Sequence, residues 1–305
     1  MAQTFNPANV LLSDSIGKEI TNEAFTQEFL QQLASTSKVV QLGQRVDMTD
    51  RIQRFGGELG ELSDAYFVGE GEKIGTAKVE GKDYVLEARK IGVILPVTEE
   101  ALAYTWSEYF SDVVPLIVDK FNKKIDGAAF LGLHGDVFGS NVLNSATEAG
   151  NVINGELGFN NLLDLQMTPE KDPNAFVGHR SLGRSLRLVA DEVTGEYLFD
   201  RGAKTLDGLP YHELKLSNDV AYPDGTLITG DFNGLKYGIP RGTNLRLRVS
   251  GDATLSKVQN TNPDTGDVHL FEQDMQALRA IFEIAVAVPN GQNFAVIQPT
   301  DTEGV

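Results

Sequence analysis

Cysteine is absent from the 305 residues, which removes both a disulfide framework and thiolate metal ligation and leaves rigidity to packing alone. Positive charge is scarce: 26 lysines and arginines stand against 43 aspartates and glutamates, a formal charge of -17. Such a chain repels a polyanion, which argues against a protein that reads nucleic-acid sequence. Long apolar runs are missing too, since nothing approaches the roughly 18 consecutive apolar residues of a membrane span. The start, MAQTFNPANVLLSDS, has no basic region leading into an apolar stretch, so no export address is expected. The histidines are few and scattered: His134, His179, His212 and His269 fall in four segments, and no pair has the H-x-x-x-H spacing of a metal site.

What is present is length and a hydrophobic fraction of 41%, enough for a sizeable core in one elaborated domain or two interleaved ones. Glycine punctuates one stretch, VGEGEKIG at 68–75, densely enough to raise a phosphate-binding loop. The dinucleotide fingerprint is G-x-G-x-x-G between a strand and a helix. Gly69, Gly71 and Gly75 are one residue too widely spaced, and TAKVEGKDYVLEARKIGVILPV after them is rich in β-formers. The loop reads instead as the tip of a two-way β excursion over 50–95, running out through RIQRFGGELGELSDAYF and back through KDYVLEARKIGVILPV. Between Tyr66 and Lys90 five acidic and five basic residues balance, so this segment is neutral inside an acidic chain.

A short helix is expected near 22–35, behind an arm with little to bury itself against. After the β excursion, Thr98 is a plausible N-cap, with Glu99 and Glu100 in the first turn, where the helix dipole favours negative charge. Leu102, Trp106, Tyr109, Val113, Ile117, Phe121, Ile125 and Ala128 then recur at three- and four-residue spacing and describe one apolar stripe. A helix over 98–131 is roughly 50 Å long at 1.5 Å per residue. Pro115 should kink it or divide it into two stacked helices, and Lys123 and Lys124 suit its C-terminal end. From 140 to 265 short units alternate: FNNLLDLQM and SLGRSLRLVAD read as helices, NAFVG, ITGDF, KYGIP and NLRLRVS as strands, with turns at Asp207-Gly208, Asp224-Gly225 and Asn233-Gly234. QALRAIFEIAVAV alternates, with Leu278, Ala280, Phe282, Ile284, Val286 and Val288 on one face and Arg279 and Glu283 on the other, which predicts a long strand with one buried face whose natural partner is the long helix. Pro289-Asn290-Gly291 turns the chain into a short returning strand, FAVIQP.

Candidate chemistry is sparse. Glu70 and Glu72, on one face of a strand and roughly 7 Å apart, match the carboxylate pair of an inverting glycosidase, but nothing near them walls off a cleft that would raise one pKa. NTNPDTGDVHLFE puts Thr261, Pro263 and Thr265 where a calcium loop needs carboxylates. Ser181 in GHRSLG lacks the G-x-S-x-G spacing of a nucleophile elbow. Arg246 and Arg248 share a strand face and suit either phosphate or an acidic neighbour.

The order of these parts resembles the major capsid proteins of tailed bacteriophages, the Hong Kong 97 fold. VGEGEKI (68–74), KIGVILPVTEE (90–100), LDGLP (206–210), ITGDF (228–232), YGIP (237–240) and LFEQDMQALRA (270–280) are similar, in order and across nearly the whole chain, to motifs of capsid proteins from phages of Gram-positive hosts. The resemblance implies an α+β chain with an N-terminal arm and short helix (1–49), an extended loop (50–95), a peripheral domain carrying a spine helix (96–139), an axial domain (140–265) and the second part of the peripheral domain with its long strand (266–305). It implies a structural protein, not an enzyme, with no cofactor, whose copies close as pentamers and hexamers into an icosahedral shell around double-stranded DNA that is bound without sequence preference. A shared-fold alternative is an encapsulin-type compartment enclosing an enzyme; an acidic glycoside hydrolase using Glu70 and Glu72 is the alternative of another class. The implied partners are a portal, a decoration protein and a separate scaffolding protein, since only a short arm precedes the first helix. The extended loop is expected to lie on a neighbouring subunit through Tyr66, Phe67, Glu70, Glu72, Lys73, Lys78, Lys82, Arg89 and Lys90, with Arg246 and Arg248 making a second contact. Some family members join a loop lysine to an asparagine of another subunit; Lys73, Lys78 and Lys82 lie in the right segment, but no acceptor aligns, so no catalytic residue is assigned.

Overall fold

The structure, a computed structural model, describes residues 25–62, 67–73, 79–190, 195, 197–200, 202–216, 225–241, 246–255 and 268–299. These fall into two compact units. One is drawn from the described residues of Ser37–Arg89, Asn122–Arg241 and Ile284–Val305, the other from those of Met1–Thr36, Lys90–Phe121 and Gly242–Glu283. The arm before residue 25 lies outside the described residues.

The larger unit is organised by a mixed seven-stranded sheet, in the order Val152–Asn154, Phe294–Gln298, Leu227–Gly230, Ala175–His179, Leu209–Leu214, Thr205–Leu206, Phe199–Asp200. Its central strands are buried along nearly their whole length, which is why they read as apolar runs without alternation. Leu162 and Leu165, from the helix Phe159–Met167, join Phe176, Leu186, Leu227 and Ile297 in its core. Phe232 meets Phe130 edge-on at 5.9 Å and Phe294 at 5.4 Å, so three segments distant in sequence share one aromatic cluster. Asp207 and Gly208 both take positive φ, 47° and 78°, making the two-residue turn between Thr205–Leu206 and Leu209–Leu214. In the same unit Gln44–Met48 runs parallel to Lys236–Pro240, which pairs with Ala285–Ala287.

In the smaller unit, Arg89–Thr98 and Arg246–Ser250 both pair with the long strand Met275–Ala287. The helix Glu99–Leu131 contributes residues to both units and runs for 33 residues unbroken past Pro115. Its first N–H group is taken up by the carbonyl of Asp274, at 3.0 Å.

Four expectations are corrected. The helix is not divided at Pro115. SLGRSLRLVAD forms only a 3-10 turn, Arg180–Leu182, and one α turn, Gly183–Leu186, because the chain then bends to bring Ala190 opposite Tyr197. FAVIQP does not return along the long strand; Phe294–Gln298 enters the seven-stranded sheet between Leu227–Gly230 and Val152–Asn154. The long strand shows its one buried face only at first: Arg279 is exposed, but from Phe282 to Ala287 both faces are covered, Glu283 included.

Candidate subunit interface

Ile52–Leu62 and Val79–Glu87 pair antiparallel, from Ile52 opposite Glu87 to Leu62 opposite Val79. The register slips between Phe55 and Glu58 and again between Leu59 and Leu62, where Gly56, Gly57 and Gly60 relieve the strand. Each strand is about 30–36 Å long at 3.3 Å per residue, and among the described residues the two form a sheet of two strands. Among the described contacts, Phe55 stacks on Tyr84 at 5.6 Å, and Leu86 and Ala88, at the base, pack with Met48, Ala285 and Ala287. Between these contacts Ile52 and Val85 remain 61% and 53% exposed, so large apolar side chains lie open within a two-stranded ribbon. Arg54 bonds Asp83 across the ladder at 2.7 Å, and Arg89 bonds Glu87 at 3.0 Å; both pairs are solvated and worth little to stability.

The tip closes on itself. The Glu72 N–H donates to the Gly69 carbonyl at 3.1 Å, the Gly69 N–H donates to the Glu72 carboxylate at 3.3 Å, and Gly71 takes φ 87°, a value that excludes most side chains. The next described element is a strand, not a helix, so the pyrophosphate geometry is lacking. Glu70 and Glu72 do not share a strand face: the chain turns at Glu70-Gly71, and Glu72 folds back on Gly69. Phe67 is fully exposed, and Glu70, Glu72 and Lys73 are exposed. Lys82 occupies a ladder position opposite Glu58. Tyr66 and Lys78 lie outside the described residues.

Lys90 opens the strand Arg89–Thr98, with its Nζ 3.7 Å from the carboxylate of Glu283, a side chain only 6% exposed. Arg246 and Arg248 are exposed on Arg246–Ser250, opposite Ile281 and Arg279 respectively. Lys90, Arg246 and Arg248, far apart in sequence, therefore belong to one sheet, on strands that flank Met275–Ala287.

The hairpin is approached through an anchor that the sequence reading missed. Asp126, buried in the long helix, accepts from Ser37 Oγ at 2.8 Å, from the Lys38 N–H at 2.9 and 3.1 Å and from the Val39 N–H at 3.2 Å. It thereby caps the short helix Lys38–Leu42 from 87 to 89 residues away. Burial pushes its carboxyl up to about 6 although these hydrogen bonds oppose the shift, and burial also lowers the Lys38 ammonium. The available signal was an aspartate beside Ile125, inside a run that otherwise faces the core. Among the described residues no three histidine or acidic side chains cluster as metal ligands.

Comparison with known proteins gives this arrangement a family. The model of the phage capsid family matches residues 17–298. The major capsid protein of Staphylococcus phage 80alpha is 38% identical over 302 residues, covering 98% of this chain and 90% of that protein. A solved structure from Mycobacterium phage Adephagia superposes with a TM-score of 0.66 at 23% identity, covering 88% of this chain and 91% of its own. The capsid of an empty GTA particle, computed with C5 symmetry, gives 0.60 at 13% identity over 86% and 89%. With a mixed α/β architecture like that of solved phage capsid chains and a family match over nearly its whole length, the chain belongs to the phage capsid family.

Proposed function

We infer that this chain is the major capsid protein of a phage, whose copies form the head shell of the virion. The observation that carries this is the 38% identity, over almost the entire length, to a phage major capsid protein. The family is one of structural proteins, and the chain is a structural protein, not an enzyme. A cargo compartment and a glycoside hydrolase are not favoured, given the family match and the identity to a phage major capsid protein.

The finer reading follows the Hong Kong 97 plan: an arm and short helix (1–49), an extended loop (50–95), a peripheral domain from 96–139 and 266–305, and an axial domain from 140–265. Rings of five and six would arise from heterologous contacts whose rotation closes, each subunit offering two different, complementary surfaces. A ribbon that leaves Ile52, Val85 and Phe67 open supports an extended loop that finds its cover on a neighbouring copy. Tyr66, Phe67, Glu70, Glu72, Lys73, Lys78, Lys82, Arg89 and Lys90 are the residues assigned to that contact, and Arg246 and Arg248 to a second one. Many weak contacts engaged together then hold the shell by avidity. A separate scaffolding protein, a portal and a decoration protein complete the proposed partners. The -17 charge suits a wall that packaged double-stranded DNA touches without sequence-specific binding.

Negative-stain electron microscopy with size-exclusion chromatography tests the reading on protein made together with the phage's other head proteins. Closed shells, or rings of five and six, are expected; a subunit that stays monomeric in that company overturns it.

A further inference from the structure

The sheet around Met275–Ala287 has one face whose charge is opposite to that of the rest of the chain. Alternation puts Arg279, Ile281 and Glu283 on one side of the long strand. The register sets Arg248 directly opposite Arg279 and Arg246 opposite Ile281, so both arginines of the neighbouring strand share that side. On the other flank, the Lys90–Glu283 contact at 3.7 Å orients Lys90 to the same side. A Cβ placed on Gly92 would meet the Ile281 side chain at 3.4 Å, so Gly92, and Ile94 two residues on, face that way as well. The result is a three-stranded face that, among the described residues, carries four cations, Lys90, Arg246, Arg248 and Arg279, and a single carboxylate, Glu283, which is buried and already engaged by Lys90. No carboxylate among the described residues pairs with any of the three arginines. Ile94, 49% exposed, and the half-buried Ile281 give the face an apolar centre.

Two arginines directly opposite each other on an exposed ladder repel, which is an unfavourable arrangement for an isolated sheet. It becomes favourable once an anionic surface covers both. We propose that this face is a docking surface for a carboxylate-bearing surface of a second copy of the same chain. The choice of occupant follows from charge: every copy carries an excess of 17 negative charges, so the surroundings of a subunit in a shell are acidic. Arginine, with its planar fork of donors, is the side chain suited to carboxylates at an interface. The proposal rests on the shell reading and deepens it: Arg246 and Arg248 do not act as a pair but within one face completed by Lys90, Arg279, Ile94 and Ile281.

Charge reversal separates docking from folding. In Arg248→Glu the new carboxylate lies opposite Arg279, so the subunit's own ladder gains an opposite-charge pair while the docking face loses two units of positive charge. The experiment supplies wild-type chain, Arg248→Glu, Arg246→Glu, Arg279→Gln and Arg248→Lys in trans to the phage lacking this gene. Heads are counted by electron microscopy, and the Tm of each purified subunit is measured. The expected result is a subunit Tm at or above wild type for Arg248→Glu with heads lost, heads reduced for Arg246→Glu and Arg279→Gln, and heads retained for Arg248→Lys. Wild-type yields of heads from all the charge variants overturn the proposal while leaving the shell reading intact. Absence of heads with the wild-type gene sinks the shell reading itself. Fluorescence anisotropy of a double-stranded DNA oligonucleotide with the purified subunit is expected to show no binding at physiological salt. Salt-dependent binding that Arg248→Glu abolishes would make nucleic acid the occupant and overturn the assignment of a second copy.

Discussion

The seven-stranded sheet and the hairpin Ile52–Glu87 are both built of β-strands with apolar residues on them, and they spend those residues differently. In the sheet every residue of Leu227–Gly230 is buried, and Phe176, Leu227, Phe294 and Ile297 are covered by helices and strands of the same chain. In the hairpin, Ile52 and Val85 are left more than half exposed, beside Phe55, Tyr84 and Leu86, which find partners. The sheet is finished by its own chain, whereas a two-stranded ribbon taken alone has no further layer to bury its faces. On the proposed reading, that difference separates what stabilises the subunit from what assembles it.

The largest expected effect breaks assembly alone. Deleting residues 68–82 removes the tip and the outer ladder; the subunit should stay soluble and folded by circular dichroism, yet form no stable shells by electron microscopy. Wild-type-like particles from this deletion would remove the hairpin from the assembly mechanism. Next comes the opposite case, Phe232→Ala, which opens the cluster with Phe130 and Phe294 and should cost about 3–5 kcal/mol in urea unfolding. A loss under about 1 kcal/mol would mean that the cluster is not the core it resembles.

The anchor under the hairpin gives an intermediate effect with a definite sign. Asp126 keeps its proton up to about 6, whereas in the unfolded chain it ionises near 3.8. Between about pH 4 and 6 the native state therefore binds the extra proton, so stability falls as pH rises through that window, by up to about 3 kcal/mol for the two-unit shift. Urea midpoints measured across that window should show the decline in the wild type and a smaller one in Asp126→Asn; equal slopes would show that the carboxyl titrates normally. The smallest expected effect is Val85→Ser on the open hairpin, within about 0.5 kcal/mol of wild type in unfolding. A larger loss would mean that Val85 is covered within the subunit.

Much of this contrast was legible in one dimension. Period-2 alternation located the long strand, the three- and four-residue stripe located the helix ending at Leu131, and Asp207-Gly208 marked a turn whose positive φ values are those glycine and aspartate tolerate. The readings that failed did so where tertiary contacts outweigh local preference. SLGRSLRLVAD has helical spacing, but the bridge between Ala190 and Tyr197 ends the helix after Leu186. Glu283 looked like a solvent-facing position of an alternating strand and is buried against Lys90.

By itself the sequence determined the long strand and the long helix, the acidity of the chain, the neutral hairpin within it and, through six motifs in order, its likeness to phage capsid proteins. These are local or compositional properties, readable because side-chain period and turn chemistry act over a few residues. Only the tertiary structure decided that Asp126 caps a helix beginning at Lys38, that Phe294–Gln298 lies between Leu227–Gly230 and Val152–Asn154, and that Arg248 stands opposite Arg279. Each depends on strand register or on contacts between residues tens to more than a hundred positions apart, and register is set by which faces the whole fold buries.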